Sequence, residues 1–128
     1  MRARRAGLRL WPTDVLFLFV CIAVVLLFGE ELLEFRWLPL VAAAHFFLFC
    51  NVFRVRRSYE LVWAALFCVN FMLHVQDASL DWSSVLLWQA PVTVIAIALE
   101  MRSARYHGVF AERINSQHLQ DWVEGRLR

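Results

Sequence analysis

The sequence predicts an all-α protein: an integral membrane four-helix bundle with both termini in the cytoplasm and a short cytoplasmic amphipathic C-terminal helix. Three observations predict it. The 128 residues are 61% hydrophobic, against roughly 45–50% in an ordinary soluble domain. Most of the apolar residues fall into four long runs. Nearly all the basic side chains fall on one side of the membrane that those runs imply. Three segments follow: a basic cytoplasmic arm over 1–13, a transmembrane domain over 14–100 and a cytoplasmic tail over 101–128. The helices are expected at about 14–29, 37–53, 60–76 and 82–100.

The first run, VLFLFVCIAVVLLFG, is apolar on every side. A helix in a soluble bundle needs a polar face, so this run argues for lipid. Its basic start resembles a signal peptide, but Gly29 leads into Glu30-Glu31-Leu32 with no small-x-small cleavage site. Leu18-Phe19-Val20-Cys21 fails as a lipoprotein site because a bulky residue precedes the cysteine. Asp14 opens the helix at the end where the dipole favours a carboxylate.

The second run, WLPLVAAAHFFLFCNVF, has Pro39 in its first turn, where a missing N–H costs little. The third is LVWAALFCVNFMLHVQ, with Glu60 at its start, and the fourth is WSSVLLWQAPVTVIAIAL. None of the runs shows strand-like alternation, and all are too long for ordinary strands. Each is near the short end of the ~17–25 residues that span a bilayer. Trp11, Trp37, Trp63 and Trp82 fall near run ends, as an interfacial belt requires.

Every basic side chain apart from the histidines is Arg, which points to a GC-rich bacterial coding sequence and an inner-membrane location. With the N-terminus inside, the arm holds Arg2, Arg4, Arg5 and Arg9, and the middle turn holds Arg54, Arg56 and Arg57. The tail holds Arg102, Arg105, Arg113, Arg126 and Arg128, which leaves Arg36 alone outside. The outer loops carry Glu30, Glu31, Glu34, Asp77 and Asp81. The CNVFRVRRSYELVW stretch is therefore first a topology signal. Its sharper reading is anionic-lipid contact by Arg54, Arg56 and Arg57, at about 1 kcal/mol each. Nucleic acid is not expected as a partner, since no reading motif or stacking platform surrounds the turn.

Polar residues inside the runs are the remaining candidates. Asn70, His74 and Asp77 share a stripe of the third helix with Trp63 and Phe67. Gln89, Thr93, Ala96 and Glu100 share a stripe of the fourth, and the second contributes His45 and Asn51. Such groups face the bundle interior. They read first as packing bonds between helices. The alternative is an intramembrane path through Asn70, His74, Gln89, Thr93 and His45. Pro91 is expected to kink the fourth helix and free the carbonyl of Leu87. His45 and His74 differ in expected depth by roughly 9 Å, which is wrong for opposed haem ligands. No cofactor or metal is expected. Cys21, Cys50 and Cys68 lack paired spacing and read as small packing residues.

No HExxH, GxSxG or glycine-rich phosphate loop is present. The function expected is non-catalytic: an accessory or structural component of a membrane assembly. Its partners would be the lipid bilayer and either another membrane protein or further copies of itself. The alternative is a small oligomeric transporter or channel for an ion or small solute. In the tail, Leu119, Trp122, Val123 and Leu127 would lie on one face of a helix that begins after Asn115-Ser116, placed on the membrane surface or on a partner.

Overall fold

The computed structural model describes residues 5–76 and 79–127. The chain is mostly helical. In order it forms α1 (Pro12–Leu32), a 3-10 turn (Leu33–Trp37), α2 (Leu38–Phe47), a π-helical turn (Leu48–Val52), α3 (Arg57–His74), β1 (Val75–Gln76), β2 (Ser79–Leu80), α4 (Trp82–Met101), α5 (Ala111–Ile114) and α6 (Ser116–Val123).

Among the described residues, two stretches are long and apolar enough to cross a membrane. Pro12–Val52 runs for 41 residues at a mean hydropathy of 2.5, and α4 for 20 residues at 1.6. The first is folded back on itself. Phe17 near the start of α1 meets Phe46 near the end of α2, ring centroids 5.9 Å apart. α3 falls outside this pair, because Arg57, Glu60, Asn70 and His74 dilute its apolar residues.

α1 begins as its sequence dictates. Pro12 needs no N–H partner at the first helical position, and the Asp14 carboxylate accepts the Trp11 N–H at 3.1 Å. The helix runs three residues beyond the expected Gly29, taking up Glu30 and Glu31. Glu34 lies in the 3-10 turn. The expected outer loop is thus helical, and the reversal is made at Leu33, whose φ is +50°.

α2 ends differently from an ordinary helix. The Phe53 N–H reaches the carbonyl of Leu48 at 2.9 Å, five residues back, and Arg54 follows at φ +50°. Helix ends leave carbonyls without partners. Here the arm and tail supply them: Arg9 N–H donates to Asn51 O at 3.0 Å and Val109 N–H to Val52 O at 2.9 Å.

α3 starts three residues earlier than expected, at Arg57. Past His74 the chain forms a small antiparallel hairpin, with Val75 opposite Leu80 and Gln76 opposite Ser79. The sequence reading held no strand. Asp81 then caps α4, accepting from Ser83 N–H at 3.1 Å and Ser84 N–H at 3.4 Å. Hydrogen bonds from these serines hold its carboxyl at about 2. α4 continues through Pro91 to Met101 as one helix.

α3 and α4 form the second hairpin, and an aromatic layer joins it to the first. Trp63 stacks on His45 of α2 at 4.2 Å and on Phe67 at 5.2 Å, and meets Phe49 edge-on at 5.6 Å. Phe49, Val55, Trp63, Phe67, Leu80, Val85 and Ala96 make the core. Trp63 is therefore not part of a surface belt; it is buried.

The tail folds onto the end of the molecule that holds the Arg54–Arg57 turn. Tyr106 is fully buried and donates its hydroxyl to Val109 O at 2.7 Å. Gly108 passes so close to Phe53 that a Cβ would lie 2.5 Å from its carbonyl oxygen. Asn115 donates to Ala104 O at 2.8 Å and Tyr106 O at 3.0 Å. α6 begins at Ser116, where a break was expected, and its Trp122 stacks on His107 at 4.1 Å. The amphipathic helix thus docks its Trp122 on its own chain.

Candidate functional site

The polar residues of the three inner helices meet in one seam. Asn70 Nδ2 donates to Val85 O at 2.8 Å and to Gln89 Oε1 at 3.3 Å. Gln89 Nε2 donates to Trp63 O at 3.2 Å. Trp63 Nε1 donates to Thr93 Oγ1 at 2.9 Å, and His45 Nε2 lies 3.3 Å from the same hydroxyl. His45 Nδ1 reaches Val41 O at 3.0 Å. A chain of hydrogen bonds therefore runs from α2 through α3 and α4.

Helical periodicity explains why the seam forms. Gln89, Ala96 and Glu100 share one face of α4 and are all buried. Trp63 and Asn70 stand seven residues apart on α3, so they too share a face. Thr93 also bonds back to Gln89 O at 3.1 Å. That bond goes to the carbonyl two residues after Leu87, the one Pro91 was expected to free. His74 turns to its own helix, reaching Asn70 O at 2.8 Å. Asp77 lies outside the described residues.

Of the five residues expected in the seam, the structure brings four together: His45, Asn70, Gln89 and Thr93. His74 borders it at the hairpin end. Trp63 is the member that the sequence reading placed elsewhere, although it lay on the Asn70 stripe. Among the described residues, no buried side-chain nitrogen or oxygen lacks a hydrogen-bond partner. The seam therefore holds no idle polar atom in its buried part. A groove of about 460 Å³ runs beside it between α3 and α4, with Asn70, His74 and Gln89 on a wall otherwise formed by apolar side chains such as Leu66, Leu73 and Trp88.

The arginine turn forms a second cluster, and its three members behave differently. Arg56 Nε lies 2.8 Å from Glu100 Oε2, and its Nη2 donates to Ser103 Oγ at 2.9 Å. The Glu100 side chain is 4% exposed and that of Arg56 40%. The hydrogen bond to Glu100 raises the Arg56 pKa further. Arg54 donates to Arg5 O at 2.8 Å and lies over the Trp122 ring. Burial and the nearby Arg9 lower its pKa. Arg57 opens α3 and is exposed.

Asp14 and Asn51 complete this end, with Asn51 Nδ2 donating to Asp14 Oδ2 at 3.0 Å. Cys50 Sγ approaches Glu60 Oε1 at 3.6 Å. Cys21, Cys50 and Cys68 are free thiols. Among the described residues, no group of three or more His, Cys, Asp and Glu side chains is placed to hold a metal ion. The sequence reading missed Ser103 and the Arg56–Glu100 pair. The available signal was that Arg56 lies in the cytoplasmic middle turn and Glu100 is the last residue of the expected fourth helix, which puts both at the same end.

No family model, curated protein or solved structure matches this chain.

Proposed function

We propose that this chain is a multi-pass membrane protein that crosses the bilayer four times with both ends in the cytoplasm. It acts without catalysis, as an accessory or structural component of an assembly in a bacterial inner membrane. The outer surface of the helices supports the membrane part. Leu26 and Leu27 are 79% and 76% exposed, and Leu16, Phe19 and Val20 also lie bare on α1. A contiguous apolar surface of this kind belongs in lipid or against a partner.

The observation that carries the non-catalytic part is the closed seam. Its buried polar groups face inward and bond to one another, as interhelical packing groups in a membrane do. The arm, the arginine turn and the tail meet at one end, which supports placing them on one side. Twelve of the 13 arginines lie in these three segments, as the excess of Arg and Lys on cytoplasmic segments requires.

The groove between α3 and α4 favours a second reading, a small oligomeric transporter or channel with Asn70, His74 and Gln89 on its path. The docked tail weighs against a path down the centre of a single copy. Reporter fusions test the topology. Fusions after Glu31 and Ser79 should report outside, and those after Arg57 and Arg128 inside. An external signal at Arg57 rejects the arrangement. Solute flux into proteoliposomes tests the second reading, and identification of proteins that co-purify in mild detergent tests the first.

A further inference from the structure

A cleft of about 540 Å³ lies where α4 gives way to the tail, walled by the end of α4 on one side and the α5–α6 junction on the other. Its lining is divided. Met101 and Ile114 are apolar, whereas Arg102, Ser103, Gln117 and His118 are polar, and no carboxylate lines it. The side chains of Arg102, Gln117 and His118 are exposed and make no hydrogen bond or ion pair among the described residues. Arg54 and Arg56 differ in this respect, because partners within the chain already hold them.

We propose that this cleft binds a phosphate ester. Arg102 supplies the charge, Gln117 and His118 supply further donors, and Met101 and Ile114 contact the carbon skeleton. An Arg fork suits phosphate because it presents paired N–H donors. The split lining fits a group with a charged head and an apolar stem. On the topology proposed above, on which the lipid source rests, the cleft lies at the inner face of the bilayer. An anionic lipid headgroup is then the nearest source, and a soluble phosphate ester is the other.

The test uses the full-length protein purified in a neutral detergent. Binding of short-chain phosphatidylglycerol is measured by native mass spectrometry, with phosphatidylcholine as the comparison lipid and glycerol 3-phosphate as the soluble probe. Arg102→Gln should weaken phosphatidylglycerol binding about fivefold, the worth of one Arg beside an anionic headgroup. Arg113→Gln, which removes an exposed charge of the same sign from the tail outside the cleft, should change it by less than about twofold. Gln117→Trp fills the cleft without changing charge and should abolish binding, while circular dichroism and thermal unfolding remain as in the parent.

Dependence on Arg102 with phosphatidylglycerol alone assigns the lipid. The same dependence with glycerol 3-phosphate as well assigns a soluble ester as a source. Equal losses in Arg113→Gln and Arg102→Gln, or undiminished binding in a folded Gln117→Trp variant, overturn the proposal. Detergent binding does not depend on sidedness, so a failed topology and a failed cleft give separate results.

Discussion

Replacing Asn70 and Gln89 by Leu should have unequal effects, although the two amides bond to each other. Asn70 Nδ2 is the donor to Gln89 Oε1, and Gln89 is only 2% exposed. Asn70→Leu therefore removes the bonds to Gln89 and Val85 and leaves a buried acceptor without a donor. An interhelical bond in a membrane protein is worth about 0.6 and at most ~2 kcal/mol. A stranded buried polar group adds ~1–3 kcal/mol. Gln89→Leu strands much less. Asn70 Nδ2 keeps Val85 O at 2.8 Å, and the Trp63 carbonyl sits in α3, where the amide four residues on serves it. The expected losses are about 2 kcal/mol for Asn70→Leu and about 1 kcal/mol for Gln89→Leu. The double variant should cost about 1 kcal/mol less than the sum, because removing Gln89 also removes the stranded atom. Unfolding in mixed micelles of increasing sodium dodecyl sulfate, followed by far-UV circular dichroism, measures all three. A Gln89→Leu variant that loses as much as Asn70→Leu, or strictly additive losses, would refute this account of the seam.

The arginine turn and the buried tyrosine give two further expectations. Arg56→Lys should destabilise the fold by about 1–2 kcal/mol in the same unfolding assay, because an ammonium cannot serve Glu100 and Ser103 in the Arg56 geometry, and the half-exposed Arg56 tempers the loss; Arg57→Lys should be neutral, and equal effects in the two would reject the distinction. Burial, with a smaller contribution from Glu100, pushes the Tyr106 hydroxyl up to about 12, from about 10 in an unfolded chain. The raised value means that stability is fully present below pH 10 and is lost as the pH rises towards 12. Loosening of the tail in that window, read by limited proteolysis, should vanish in Tyr106→Phe, and an unchanged alkaline profile in that variant would refute it.

Local pattern made the helices legible, because an unbroken apolar run and an i, i+4, i+7 polar stripe are properties of consecutive residues. Gln89, Ala96 and Glu100 of the inward face of α4 were read on that basis, and Val85, fully buried on the same face, was not. Trp63 shows where the reading stops. Placing the start of the helix at Glu60 left Trp63 near the surface. The helix begins at Arg57, and three more residues carry Trp63 ~4.5 Å further from the end, into contact with His45. The α1–α2 connection was read as an outer loop carrying Glu30, Glu31 and Glu34, yet charge alone does not end a helix. The docking of the tail was illegible for another reason. Tyr106, Gly108 and Asn115 are fixed by Val109 O, Phe53 and Ala104 O. The Phe53 contact crosses more than fifty positions of sequence, and no local periodicity encodes it.

The same limit separates charge from geometry at the arginine turn. A rule that counts positive charges treats Arg54, Arg56 and Arg57 as equals, and the fold does not. Arg54 holds a left-handed backbone that disfavours any residue with a Cβ, at about 1–2 kcal/mol, and its side chain ties the arm to α6 through Arg5 O and Trp122. Arg56 closes α3 against the end of α4 through Glu100. Arg57 stands at a helix N-terminus, the end that disfavours a cation, so helix stability does not account for it. The contacts of Arg54 and Arg56 also bear on the proposed sidedness without any counting. They bring the arm, the middle turn and the start of the tail to one end of the molecule, so each helical hairpin leaves from and returns to that end. Any bilayer across these helices must then be crossed an even number of times before the turn and an even number after it. On the proposed topology, the positive charge then decides only which face that common end occupies.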